Sequence, residues 1–555
     1  MYCTTCGAGS PLSAAVCSAC GTQLRAAATE RPAPTAQQPS PADLAYPLLV
    51  EQLPPAVPAQ QPPHPAVQAL PQPPPAAQLR VSPALRRHRA IAVAAVVVLG
   101  GLAVAGWQVH WPPALFGSAG PPPPLAWRAT QAPLPSDAAI SGIQFSELDD
   151  VACASAASCV AVGAYTIGIG SNSLQAGLIE TLSGGGWAAA RAPFTVPGTT
   201  GDATVALGGI ACPSPVACVA VGYYNENQRT EPLIETLSGS AWVSASPPLP
   251  GGAGQSQDGA ISRVACPAPG TCVATGWYID RNGDTQAMID TLSGGTWTAA
   301  RAPLPADATP RPTAQESVLT TVLFSVSCPA PGTCVATGWY TDRNGGVRGL
   351  IDTLSGGTWT AARAPLPGDA AAPRHDEYLF ALACQAPGSC LAAGGYNSRN
   401  GQSRNLLATL SGGTWTPAAV PLPADAASQK SGLDQGTGLF SVACQAMGTC
   451  EAAGSYIARD GALAGVIDTL SGGTWTAVQA PLPANAAKAN PLFVVFESAA
   501  CPSPRACFIV GGYKAADGST ESLIETATPK NQFAGSDGPP RTPVGAATFA
   551  TRRYS

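Results

Sequence analysis

Eighteen cysteines in a chain of 555 residues fall into two groups whose spacings ask for different chemistry. Cys3, Cys6, Cys17 and Cys20 form two C-x2-C pairs at the N-terminus. Each pair aims two thiolates at one point from a tight turn, and Gly7 and Gly21 follow where a backbone without Cβ can curl around an ion. Four sulfur ligands at this spacing predict tetrahedral Zn2+, with two disulfides or four separate thiols as the alternatives. A site with four protein ligands has no open position for a substrate, so the zinc is structural. The other fourteen form C-x5-C pairs: Cys153 with Cys159, Cys212 with Cys218, Cys266 with Cys272, Cys328 with Cys334, Cys384 with Cys390, Cys444 with Cys450 and Cys501 with Cys507. In an oxidising compartment these predict seven disulfides, each contributing about 2 kcal/mol by restricting the unfolded chain. Metal binding is the alternative, but no His lies near any pair.

Two groups with opposite redox demands need a barrier between them. Residues 90–109, AIAVAAVVVLGGLAVAGWQV, carry no charge. At about 1.5 Å per residue they cross a hydrocarbon core of about 30 Å. Arg86 to Arg89 (RRHR) precede them, while the next Lys or Arg afterwards is Arg128. The positive-inside rule then keeps the N-terminus in the cytoplasm and exports the C-terminal part. A cleaved signal peptide would start near residue 1, and a core helix would show a polar face; this segment does neither.

The double C-x2-C segment, residues 1–24, resembles the small zinc-ribbon family. Such ribbons often bind nucleic acid, but this one has no charged side chain. The expectation is therefore a contact with a cytoplasmic protein and no nucleic acid, whose phosphates need clustered Lys and Arg. The whole chain, with 28 Lys and Arg against 33 Asp and Glu, argues the same way. Residues 25–85 are rich in Pro, Ala and Gln and predict a disordered tether; residues 533–555 predict a disordered tail.

Beyond the apolar segment the chain repeats. VACASAASCVAVGAY at 151 recurs with variation at 210, 264, 326, 382, 442 and 499. Each unit reads as four strand-like runs. The first ends at the first Cys and the second runs from the second Cys through VAxGxY. The third is GLIETLSGG or a variant, and the fourth starts at Trp and reaches APLP. Turn residues separate them: PAPGT, DRNG and SGG. Four antiparallel strands per repeat make one propeller blade, and apolar residues on both strand faces suit a sheet sandwiched between neighbours. The last unit lacks its Trp strand, whereas LAWRATQAPLP (125–135) is a Trp strand with no body before it. Pairing Trp127–Pro135 with the strand around Leu523–Thr526 removes both deficits and leaves no open edge. The fold predicted is all-β: a seven-bladed β-propeller over 125–532 with N-to-C strand closure, plus the zinc ribbon and one transmembrane helix. This ring resembles sialidase-type and kelch-like propellers. The LSGGTW turn is similar to the sialidase Asp box, S-x-D-x-G-x-T-W, but Leu292 stands at the Asp position, and the box is a structural turn in any case.

Catalytic groupings are sparse. The repeat region holds one histidine, His375, and no Ser, His and Asp grouping follows from it. The connections into each first strand carry acids, Glu147, Asp150, Asp202, Asp258, Glu316, Glu377, Asp434 and Glu497. They make candidate ligand-face acids for a cation or a basic partner; ordinary solvation of loops explains the same residues without a ligand and is the favoured reading. DRNGD at 280–284 is half of a calcium loop, but DRNGG, SRNG and ARDG fill the same slot elsewhere, which favours a hairpin turn. The recurring Tyr and Trp residues are expected in blade packing.

The resulting expectation is a single-pass membrane protein displaying a propeller at the cell surface. The propeller would act as a binding or scaffold module for an external ligand that is cationic, protein or glycan. An exported carbohydrate-active enzyme, a hydrolase or lyase, is the alternative. Metal analysis of the purified, reduced chain should find one zinc per molecule, lost on Cys3→Ser with Cys17→Ser; a metal-free wild type would refute the N-terminal site.

Overall fold

A computed structural model describes residues 125–529, apart from 140–143, 169–172, 195, 197–202, 228, 256–257, 310–320, 372–375, 428–436, 447 and 489–493. The zinc ribbon with Cys3, Cys6, Cys17 and Cys20, the linker 25–85, the span 90–109 and the tail 533–555 lie outside the described residues. All named elements among the described residues are strands, and no helix there is long and apolar enough to cross a membrane.

The strands form seven four-stranded antiparallel sheets. Blades 1 to 6 run Ser146–Arg191, Thr204–Ala245, Gly259–Arg301, Thr321–Arg363, Glu377–Ala419 and Gly438–Gln479. Blade 7 takes three strands from Val494–Pro529 and its outermost strand, Leu125–Gln131, from the other end of the chain. Trp127 stands opposite Ala527, Arg128 opposite Thr526 and Gln131 opposite Leu523, as the two complementary deficits in the sequence require. Side chains reinforce this closure: the Thr130 hydroxyl donates to the Ile524 carbonyl at 3.1 Å and the Gln131 amide to Glu521 at 3.1 Å. Innermost strands of adjacent blades touch all the way round, the last against the first.

Each third strand is buried on both faces because neighbours cover both. Val347–Ser355, for example, is buried from Arg348 to Asp352. The core is accordingly divided into seven apolar layers, one per blade interface. The outermost strands alternate half-buried and exposed residues. Their Trp residues pack inward at the end of the blade that carries the disulfides: Trp297 with Cys266 and Leu292, Trp359 with Cys328 and Leu354. Leu292, at the Asp-box position, is thus an apolar packing residue.

All seven C-x5-C pairs are disulfides, with Cα atoms 3.9 to 4.1 Å apart. The SGG turn places Gly294 and Gly295 at φ 58° and 80°, the two left-handed residues of a type I′ hairpin whose twist matches its strands. APLP does not extend the outer strand: only its Ala keeps a ladder bond, such as Ala302 N–H to the Ala287 carbonyl at 2.9 Å, and the prolines then lead the chain to the next blade.

Deleting Leu125–Gln131 should expose the edge formed by Thr520–Pro529. Hydrogen exchange should accelerate there far more than in blade 2; equal protection in the two blades would show that closure is dispensable.

Candidate functional site

The glycine of the VAxGxY motif controls what enters the central channel. In every blade the innermost strand bulges opposite it, as between Leu323 and Ser325 or between Leu148 and Asp150. A Cβ at Gly338 would lie 1.9 Å from the Val322 carbonyl oxygen, and the equivalent glycines are equally tight. Only glycine fits there. The extra residue of each bulge is Asp149, Gly208, Ser262, Phe324, Phe380, Phe440 or Glu497 in blades 1 to 7.

The channel therefore has two unlike sides around a cavity of about 150 Å³. Blades 4 to 6 contribute Phe324, Phe380 and Phe440, with ring centroids 5.9 Å apart for the first pair and 4.9 Å for the second. Trp339 and Tyr378 join this stack at 5.3 Å from each other. Blades 7, 1 and 3 contribute Glu497, Asp149, Asp150 and Arg263.

These polar groups are spent on joining blades. Asp150 accepts from the Val151 N–H at 2.9 Å, from the Ile210 N–H of blade 2 at 2.7 Å and from the Ser498 hydroxyl of blade 7. Burial raises its pKa, and Arg263 and these bonds only partly offset that. Arg263 donates to the carbonyls of Gly208, of Ser262 at 3.1 Å, of Asp149 at 3.1 Å and of Glu497 at 3.4 Å. Its guanidinium also lies 5.3 Å from the Phe324 ring centroid, a cation–π contact. One side chain thus touches blades 1, 2, 3, 4 and 7. Glu147 and Asp149 are held well above the carboxylate range, by burial first and then by the negative charge of Glu497.

At the end where chains enter the inner strands, the recurring Tyr does more than pack. Its ring is buried and its hydroxyl donates to the acid of the preceding LPxD turn: Tyr165 to Asp137, Tyr340 to Asp307 and Tyr396 to Asp369, each at 2.8 Å. Tyr456 bonds Asp425 at 2.9 Å, and Tyr513 uses Asn485 at 2.8 Å. In blade 3 the acid's slot is Gly252, and in blade 2 Tyr224 uses Glu231 instead. The DRNG and ARDG turns tie to the same segment: Arg281 donates to the Gly251 carbonyl at 3.0 Å, Arg343 to Ala306 at 2.6 Å and Arg459 to Ala424 at 2.6 Å. Asp280 accepts from the Asn282 and Asp284 N–H groups at 2.8 and 3.1 Å and from the Gln286 amide at 3.0 Å, which is the bonding of a hairpin turn.

Of the eight predicted ligand-face acids, Asp150 and Glu497 line the channel cavity, and Glu147 lies electrostatically close to Glu497. Glu377 is buried on the first strand of blade 5, where burial pushes it up to about 7 against the pull of the Gly349 N–H, Arg363 and Arg348. Loop solvation is therefore not the reason for these four: they are strand residues inside the protein. Asp258 accepts from the Thr230 N–H at 3.0 Å and holds one turn against the next blade. Asp202, Glu316, Asp434 and His375 lie outside the described residues. Arg263, Asp149 and the phenylalanines were not foreseen; a bulge leaves no periodic signal, although the invariant Gly of the repeat was its trace.

No family model matches the chain, and no curated protein does. Among solved structures it is similar to a protein of unknown function from Dyadobacter fermentans, with 9% identity over 73% of this chain and 99% of that one and a TM-score of 0.38. AofleA from Arthrobotrys oligospora follows at 11% identity, 57% and 81% coverage and a TM-score of 0.33. The sialidase of Trypanosoma rangeli has 11% identity, 72% and 59% coverage and a TM-score of 0.34. Likeness at this level carries no argument about ligand or chemistry.

Arg263→Met keeps much of the side chain's bulk but strips four carbonyls of their donor. Urea unfolding should show a loss of roughly 1–3 kcal/mol, the cost of unpaired buried acceptors; an unchanged midpoint would mean that the arginine does not hold the channel.

Proposed function

We propose that this protein is a surface-displayed binding module, in which a rigid seven-bladed ring presents the connections between blades to an external protein or glycan. The observation that carries this reading is the contrast at one end of the ring. The framework there is tied repeatedly by Tyr hydroxyls, turn arginines and Arg263, while the connections themselves vary, the longest being Arg301–Thr321 and Ala419–Gly438. Rigid scaffolds with variable loops are the usual arrangement for recognition. In the same reading residues 90–109 anchor the chain in the membrane, and Cys3, Cys6, Cys17 and Cys20 hold a structural Zn2+ in the cytoplasm for a protein contact.

A second reading, an exported glycan hydrolase or lyase, draws on one specific feature. Burial and the negative charge of Glu497 hold the carboxyls of Glu147 and Asp149 well above the usual carboxylate range, the direction of shift that a general acid on a glycosidic bond needs. The full chain should capture a glycan or envelope protein, and Arg343→Ala with Arg459→Ala, which untie the two longest connections at Ala306 and Ala424, should weaken that capture at least tenfold. Val216→Ser with Val243→Ser, on exposed positions away from the loop end, should leave it unchanged. Turnover of a glycan that disappears in Glu497→Gln would replace the binding reading with the enzymatic one.

A further inference from the structure

In six of the seven blades the third strand carries an acid in its most apolar stretch: LIET in blades 1, 2 and 7 and MIDT, LIDT or VIDT in blades 3, 4 and 6. The residues are Glu180, Glu235, Asp290, Asp352, Asp468 and Glu525, and blade 5 has Ala408 instead. All six acids are fully buried. Register places each between small or apolar residues: Asp290 opposite Ala274 and Ala299, Asp352 opposite Ala336 and Ala361, Glu180 opposite Ala161 and Ala189, Glu525 opposite Ile509 and Ala129. Those neighbours belong to the apolar layers between blades, so the alanines open room in each layer for one carboxyl.

Both carboxyl oxygens of Glu180, Asp290, Asp352, Asp468 and Glu525 lack a hydrogen-bond partner, and one oxygen of Glu235 does as well. The polar groups near them are few. Ser244 donates to Glu235 at 2.9 Å, Glu451 adds negative charge near Asp468, and burial alone acts on the other four. A carboxylate in such a place is too costly to keep, and the group takes a proton instead.

We propose that the ring is proton-locked: six of its seven blade interfaces close around a neutral carboxylic acid, and ionisation of these acids as the medium turns alkaline loosens the ring. The acids titrate near 7 to 9 in the folded ring and at ordinary carboxylate values when unfolded. Between those limits the folded state binds more protons than the unfolded one, so stability is complete in acid and falls as pH rises. Each acid changes the folding equilibrium by up to about tenfold per pH unit in that window.

The test compares unfolding of the full chain at about pH 5 and about pH 9 for wild type, Asp352→Ala, Asp352→Asn and Ala408→Asp. Glu147, Asp149, Asp150, Glu377 and Glu451 shift in the same direction, so the variants make the assignment. Relative to wild type, Asp352→Ala, which copies blade 5, should gain at least tenfold in its folding equilibrium at the higher pH over the lower. Ala408→Asp should lose by a similar factor. Equal effects at both pH values would overturn the proposal. Infrared spectra of the folded protein at neutral pH provide a reading independent of stability: the carbonyl band of a protonated carboxylic acid should weaken in Asp352→Asn, and its absence from wild type would also overturn the proposal.

Discussion

Pairing between Leu125–Gln131 and the third strand of blade 7 is the constraint on which the remaining architecture depends. Without it the array has two ends, each an edge whose backbone groups lack partners. With it, every innermost strand has a neighbour on both sides, and the seven apolar layers close into one circuit. The disulfides staple each inner hairpin internally, but none links one blade to another. Cohesion between blades therefore rests on apolar packing, on strand closure and on the polar bonds inside the channel.

Those bonds are few and are concentrated in a handful of residues. Asp150 joins three blades and Arg263 reaches five. Both stand at the bulge, directly after its extra residue. The bulge in turn exists because a glycine faces it in the second strand. Aromatic rings fill the channel on the opposite side, so the axis is closed by polar bonds on one side and by stacked rings on the other.

Much of this was legible in the residues themselves. The four-run repeat, the turn residues between runs and the orphan Trp strand led to the blade count and the closure, because hydrophobic alternation and turn chemistry are local properties. The pairing of cysteines within a C-x5-C hairpin is local too. Site residues were less legible. Glu147, Asp150, Glu377 and Glu497 were noticed as loop acids, but their burial depends on where a bulge turns them. The acid in LIET was read as part of an apolar run, since nothing in one strand says that alanines on both neighbouring strands leave it a space.

Repeat, blade, hairpins and ring all follow from the order of residues, because each rests on periodicity and turn preferences within one unit. Which charged groups lose their water, and which meet across blades, is settled by the closed ring. Arg263 and Glu497 are 234 residues apart, and burial is a property of the closed ring. That is why the fold could be read strand by strand while its electrostatics could not.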